Sequence, residues 1–188
     1  RNNIADTLRK FKRYDEARSE IRRAIECKRP FGRVATPWTS FNILHQIEMA
    51  VRNAEAARAA WMQARDAYLT YRRQGGYANR GSGGIVIEHV LGLIAQQKVD
   101  EIQPLFDQLA NDTNANDSLR QLMQATITIL NGSHDPPLAD DAALNYADAA
   151  EVLFLMSVWA GEPMSCGRYR DAKFCVSTDD PLQPLGRR

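Results

Sequence analysis

Apolar residues recur every three to four positions along most of the chain, the period of an amphipathic helix. Ile4, Leu8 and Phe11 share one helical face, and the pattern restarts after Arg13 with Ala17, Ile21, Ala24 and Ile25. Pro30 and Gly32 break it. Thr36-Pro37 marks a new start, a hydroxyl cap followed by proline in the first turn, where a missing N–H costs nothing. Trp38, Phe41, Ile47 and Val51 continue that helix. Asn53 can cap the next one, which carries Ala57, Trp61, Ala64, Tyr68 and Tyr71 and stops at Gly75-Gly76. Five glycines between Gly75 and Gly84 read as a hinge.

Four more helices are predicted beyond it. They run from about Ile85 to Gln97, from Asp100 to Ala110, from an Asp117 cap to Leu130, and from about Ala139 to Ala160. The β-rich stretches Ile85 to Ile87 and Thr126 to Ile129 lie inside helical periods, with a strand as the alternative for each. From Gly161 the period is lost, and an extended arm or a disordered tail is expected. The pattern therefore predicts an all-α fold of about eight helices. It divides into a helical segment 1–76, a glycine-rich linker 77–84, a second helical segment 85–160 and a tail 161–188.

Helices in pairs joined by short turns prompt a search for internal repeats. Ile4 and Ala5 form a large–small pair on the first helix, followed by Leu8. Tyr14-Asp15-Glu16-Ala17 opens the second helix, with Ile21 and Ala24 after it, and Pro30 closes the unit. This arrangement resembles a tetratricopeptide repeat. Small residues at Ala5, Ala17 and Ala24 would let two helix backbones approach closely, and large ones fill the gaps between pairs. In the second pair Leu44, Ala57, Trp61 and Ala64 match, but His45 replaces a small residue. In the third, Val99-Asp100-Glu101-Ile102 with Phe106 matches the turn, but Ile102 replaces alanine. The equivalent positions Ala17, Ala57 and Ile102 are 40 and 45 residues apart by their numbers, so the repeats are elongated. The strings Tyr68 to Gly76 and Asp135 to Tyr146 resemble repeat regions of large multidomain bacterial regulatory proteins. Arg1 aligns inside the first helix of a repeat, from which the chain is expected to be a segment of a longer protein.

The resemblance implies a stacked α-solenoid that binds a protein or peptide partner on the inner face of the first helix of each pair. The positions concerned are Asn2, Asp6 and Arg9, then Asn42, Gln46 and Met49, then Ile87, Leu91 and Ile94. The alternative for the last three is burial under the next helix pair. Where the family's carboxylate clamp needs Lys and Asn, this chain has Asn2 and Asp6, which argues against capture of a free C-terminal carboxylate.

Charge changes the picture. Net charge is +1, but residues 1–80 hold 17 Lys+Arg against 8 Asp+Glu, and residues 81–160 hold 2 against 11, hence +9 and −9. Such a split bears on partners and fields rather than on fold. Opposite charge could drive self-association, and the basic half, dense from Arg9 to Arg33, admits a nucleic-acid alternative. A solvated outer face is the plainer account, and an acidic protein partner stands between the two.

Catalytic signals are missing. His45, His89 and His134 have no spacing of metal ligands, so no metal is expected, and none of the three has the setting of a catalytic residue. Gly81-Ser82-Gly83-Gly84 lacks the lysine and preceding strand of a phosphate cradle, and Ser165-Cys166-Gly167 lacks the strand of a nucleophile turn. Asp140, Asp141, Asp148 and Glu151 are read as acidic residues complementing the dipole of the last helix. Cys27, Cys166 and Cys175 form no C-x-x-C pair, and a Cys166–Cys175 bridge is the alternative to three free thiols. No apolar run is long enough to span a membrane. The expectation is a cytoplasmic, non-catalytic interaction segment without cofactor, with an enzyme built in a helical bundle as the remote alternative.

Overall fold

The structure, a computed structural model, describes residues 1–78, 80–110, 116–133 and 135–160. Among them every regular element is helical. Eight α-helices follow in order: α1 (Asn2–Lys10), α2 (Tyr14–Lys28), α3 (Pro37–Ala50), α4 (Ala54–Arg73), α5 (Ser82–Ala95), α6 (Ile102–Ala110), α7 (Asp117–Leu130) and α8 (Tyr146–Trp159). Short 3₁₀ segments stand at Arg29–Ala35, Val99–Glu101 and Pro136–Asp140. The chain divides into two compact units, Arg1–Tyr71 and Arg72–Arg188. The tail 161–188 and its Ser165-Cys166-Gly167 turn lie outside the described residues.

The same turn recurs. After α1, Lys12 adopts φ 61°; after α3, Arg52 adopts φ 59°; after α5, Gln97 adopts φ 60°. Each is left-handed and each closes a Schellman motif. The Lys12 N–H donates to the Arg9 carbonyl and the Arg13 N–H to that of Leu8; Arg52 and Asn53 donate to Met49 and Glu48; Gln97 and Lys98 donate to Ile94 and Leu93. Five residues beyond each left-handed position stands a buried side chain: Ala17, Ala57 and Ile102. The helix–turn–helix module therefore repeats at the 40- and 45-residue intervals expected from the sequence. A fourth such turn, with Gly132 at φ 96°, ends α7. There it leads into a loop and the 3₁₀ segment Pro136–Asp140 instead of a second long helix.

In the first unit, α1, α2 and α3 pack as successive antiparallel neighbours. Arg1 meets Glu20, Arg18 meets Glu48, and Lys28 meets Thr39. Thus α1 and α3 run in the same direction, with Asn2 against Thr39 and Ser40. The core is Ala5, Ala17, Ile21, Ala24 and Ile47, with Leu8, Ile43 and Leu44 packed on it. The three alanines are why the helices approach so closely. α3 and α4 are also antiparallel: Trp38 packs on Tyr68 at 5.6 Å and on Tyr71 at 4.7 Å between ring centroids, while His45 at the other end meets the Ala57 carbonyl.

In the second unit α8 is the central element. Nine of its fourteen residues are buried, on all sides, against α5, α7 and the segment Pro136–Asp140, as expected of a helix apolar all round. It begins at Tyr146, not near Ala139, because Asn145 caps it by accepting from the Ala147 and Asp148 N–H groups at 2.9 and 3.0 Å. Asp140 and Asp141 therefore lie outside it. The α7 cap is likewise Asn116, accepting from Leu119, and not Asp117. Thr36 stands at the head of α3 with no side-chain cap bond; its own backbone is left-handed, at φ 47° and ψ 60°. α5 begins at Ser82, so Ser82, Gly83 and Gly84 of the expected linker belong to a helix. A Cβ on Gly83 would stand 2.0 Å from Asp148 Oδ1, and the absence of one is what lets α8 lie against this turn.

Candidate functional site

The positions singled out on the first helices of the pairs divide by environment. On α1, Asn2 locks two helices together: its amide donates to Thr39 Oγ1 at 3.2 Å and its carbonyl accepts from Ser40 Oγ at 2.9 Å. Asp6 accepts from Arg9 at 2.7 Å and pairs with Lys10 at 2.8 Å. The hydrogen bonds from those two cations hold its carboxyl below the usual range. On α3, Asn42 and Gln46 are half-buried and Met49 is 57% exposed, all on one face at helical spacing. The two triplets thus lie on neighbouring parallel helices. The third triplet does not extend them. Ile87 and Leu91 are buried and Ile94 packs on the core of the second unit, so these are core positions.

The dense basic half is largely self-neutralised at short range. Arg1 and Arg23 pair with Glu20, Arg13 with Glu16, Arg29 with Glu26, and Arg18 with both Asp15 and Glu48. Most are i,i+3 pairs on exposed faces, where solvent screens them and each contributes little. Arg18–Glu48 differs, because Glu48 is buried and two guanidinium nitrogens, Nε and Nη2, bond it at 2.7 and 3.0 Å. Arg18 holds the Glu48 carboxyl below its ordinary range despite the burial. Even so, the first unit retains 14 Lys+Arg against 8 Asp+Glu, or +6.

Charged side chains are also buried in the second unit, where the period gave no sign of them. Arg72 is 1% exposed. It pairs through Nε with Glu151 at 2.8 Å and through Nη1 with Glu88 at 2.9 Å, donates to the Gly76 carbonyl, and lies over the Phe154 ring at 4.7 Å. Glu151, read from sequence as a dipole-complementing acid, is a fully buried ion-pair partner instead. Asp148 is also buried. Ser118 Oγ donates to its Oδ2 at 2.5 Å and Asn145 Nδ2 donates to the same oxygen at 2.7 Å. Burial nevertheless raises its carboxyl pKa, outweighing those two bonds. A carboxylate interrupting an otherwise apolar helix was the one signal available in the sequence.

His45 bonds the Ala57 carbonyl through Nδ1 at 2.9 Å, a packing role; His134 lies outside the described residues. Among the described residues no cluster of three or more His, Cys, Asp or Glu is placed to hold a metal ion. Cys27 is exposed with a free thiol, while Cys166 and Cys175 lie outside the described residues. Among the described residues no helix is long and apolar enough to cross a membrane.

A groove of about 690 Å³ opens between α2 and α4, the second helices of the first two pairs. Pro37 and Phe41 of α3 and Ile25 of α2 give it an apolar lining, and Arg22, Lys28 and Arg29 add cations. None of the residues singled out on α1 and α3 is among its lining residues, although Lys28 and Asn2 both bond Thr39 Oγ1. The segment Arg29–Ala35 forms one lip, bent at Gly32, whose φ of 54° and ψ of −136° are not helical. Compared with protein families, curated proteins and solved structures, the chain matches none of them.

Proposed function

We propose that this chain is a non-catalytic protein-interaction scaffold of the tetratricopeptide kind, a cytoplasmic segment of a larger regulatory or signal-transducing protein. One observation carries the reading. The same Schellman turn at Lys12, Arg52 and Gln97, each followed five residues later by a buried residue, repeats one helix–turn–helix module along the chain. Modular helix pairs of this sort present continuous faces rather than enclosed reaction sites. The α3 face at Asn42, Gln46 and Met49, beside Asn2, Asp6 and Arg9 on α1, is the partner surface this reading favours. Nucleic-acid binding by the basic half ranks second, supported by the +6 charge of the first unit but weakened by its many internal ion pairs.

The test compares proteins captured by the intact chain with those captured by the triple variant Asn42→Ala, Gln46→Ala, Met49→Ala. A partner held by the first and lost by the second supports the scaffold and its face. Equal capture by both, or turnover of a substrate by the isolated chain, sinks it.

A further inference from the structure

The groove between α2 and α4 combines features that the scaffold reading leaves unused. Its lining residues number three cations, Arg22, Lys28 and Arg29, against one anion, Glu26. Glu26 is occupied by Arg29 at 3.2 Å. Arg22 is exposed and enters no ion pair among the described residues. The half-buried Lys28 ammonium reaches only neutral oxygens, the Thr36 carbonyl and Thr39 Oγ1, both at 3.4 Å. The groove therefore carries a net positive charge beside an apolar lining, although Arg29 is paired with Glu26 and Arg22 also acts at longer range on the buried Glu48.

The lip of the groove adds apolar surface. Phe31 is 68% and Val34 84% exposed, on either side of Gly32. A phenylalanine and a valine so exposed on one short segment are the composition of a contact patch. The lip is also strained. Thr36 is β-branched, and a left-handed backbone there costs energy that the surrounding fold must offset. Lys28 and Thr39 both donate to its carbonyl, the latter at 2.8 Å, which fixes the segment where it borders the groove.

We propose that this groove seats an acidic peptide segment carrying a bulky apolar side chain, its carboxylates facing Arg22, Lys28 and Arg29 and its apolar group on Phe41 and Pro37. The inference rests on the scaffold reading but assigns a different site, lined mainly by α2, the segment Arg29–Ala35 and the start of α3. A volume of this size takes a few side chains and not a folded domain. Duplex or single-stranded nucleic acid fits less well, since three cations beside an apolar lining offer few phosphate contacts.

The experiment is fluorescence anisotropy on the full chain with a labelled peptide of roughly twelve residues, rich in Glu and Asp around a central Phe-Leu pair. Comparison probes are its Gln/Asn counterpart, an all-Glu peptide and a single-stranded oligothymidine. The groove variant is Arg22→Glu with Arg29→Glu. The control, Lys12→Glu with Arg58→Glu, changes net charge equally on exposed positions outside the groove. All variants are first matched to the wild type by far-UV circular dichroism.

The expected result is saturable binding of the acidic apolar peptide, weakened by about tenfold or more in the groove variant and by no more than about twofold in the control. The neutral and all-Glu peptides should bind more weakly. Equal weakening by both double variants, tighter binding of the oligothymidine, or no saturable binding overturns the proposal. Self-association that is lost in the groove variant and blocks the peptide makes a second copy the occupant and also overturns it. If the groove variant binds normally while the Asn42, Gln46, Met49 variant does not, the groove falls and the scaffold reading stands.

Discussion

Two glycines on α5 should respond to the same substitution with opposite signs. Gly83 sits in the first turn, where an added Cβ would come 2.0 Å from Asp148 Oδ1, 3.0 Å from its Cγ and 2.8 Å from Leu122 Cδ2. Gly92 lies nine residues on, with nothing within 4 Å of its built Cβ. On helix propensity alone, alanine should stabilise either site by up to about 1 kcal/mol. At Gly92 that is the whole effect, so Gly92→Ala should gain about 0.5 to 1 kcal/mol. At Gly83 the Asp148 carboxylate cannot swing aside freely, because Ser118 and Asn145 hold its other oxygen at 2.5 and 2.7 Å. Overpacking costs about 1 to 3 kcal/mol, and disturbing hydrogen bonds to a charged group about 1.5 to 3 more. The net for Gly83→Ala is a loss of about 1.5 to 5.5 kcal/mol after the propensity gain is subtracted. Urea unfolding followed by far-UV circular dichroism reads both, with unchanged slopes as the check that the unfolded state is the same. A Gly83→Ala protein within about 0.5 kcal/mol of wild type, or stabilised like Gly92→Ala, would refute the close approach of α8 to this turn.

Arg52→Gly should stabilise by about 1 kcal/mol, since φ 59° strains any residue with a Cβ; thermal melts that show no gain would remove the left-handed turn from the account. Arg72→Ala removes a cation paired with the buried Glu151 carboxylate and should cost about 3 to 5 kcal/mol, a loss that denaturant titration would register and that Arg72→Lys should only partly recover. Glu48 has a folded pKa lowered from its ordinary 4.5, chiefly by its bonds to Arg18. Its contribution is present above that unfolded value and fades as pH falls through the lower folded one. Acid titration of stability should therefore flatten in Glu48→Gln, and identical acid limbs in the two proteins would contradict this. Asp148 has the opposite sign. Its folded pKa is raised by burial above the ordinary 3.8, so its stabilising contribution is complete below that value and is lost as pH rises through the folded one. Asp148→Asn should remove that decline, and an unaltered pH profile would show that the carboxyl is not desolvated.

Helical class, the positions of most helices and the repeat interval were legible in the chain because they follow from local periodicity and capping. Ala17, Ala57 and Ile102 are equivalent in sequence because each stands five residues past the same left-handed turn. The turn residues themselves, Lys12, Arg52 and Gln97, carry no glycine signal and could not be recognised as left-handed. On the candidate partner face, Asn42, Gln46 and Met49 are half-buried or exposed. Asn2 and Asp6, equally polar in sequence, are engaged in bonds to Ser40 and Thr39 and in a local ion cluster. Which of several polar residues on a helix meets another element is settled by long-range packing, to which a single-helix pattern is blind.

The glycine-rich run shows the limit most clearly. By composition Gly81 to Gly84 reads as a linker, since glycine weakens a helix wherever nothing else requires it. The structure starts α5 at Ser82 and buries Gly83 and Gly84, and at Gly83 Asp148, 65 residues away by number, occupies the space a side chain would take. Likewise the acidic residues of α8 look solvated by their charge, yet Glu151 is enclosed because Arg72 supplies its counter-charge there. Sequence by itself determined where the backbone would coil, because that depends on neighbours within a turn or two. Tertiary structure alone decided which glycine is a contact, which carboxylate is buried and where a cationic groove opens, because each depends on residues brought together from distant positions.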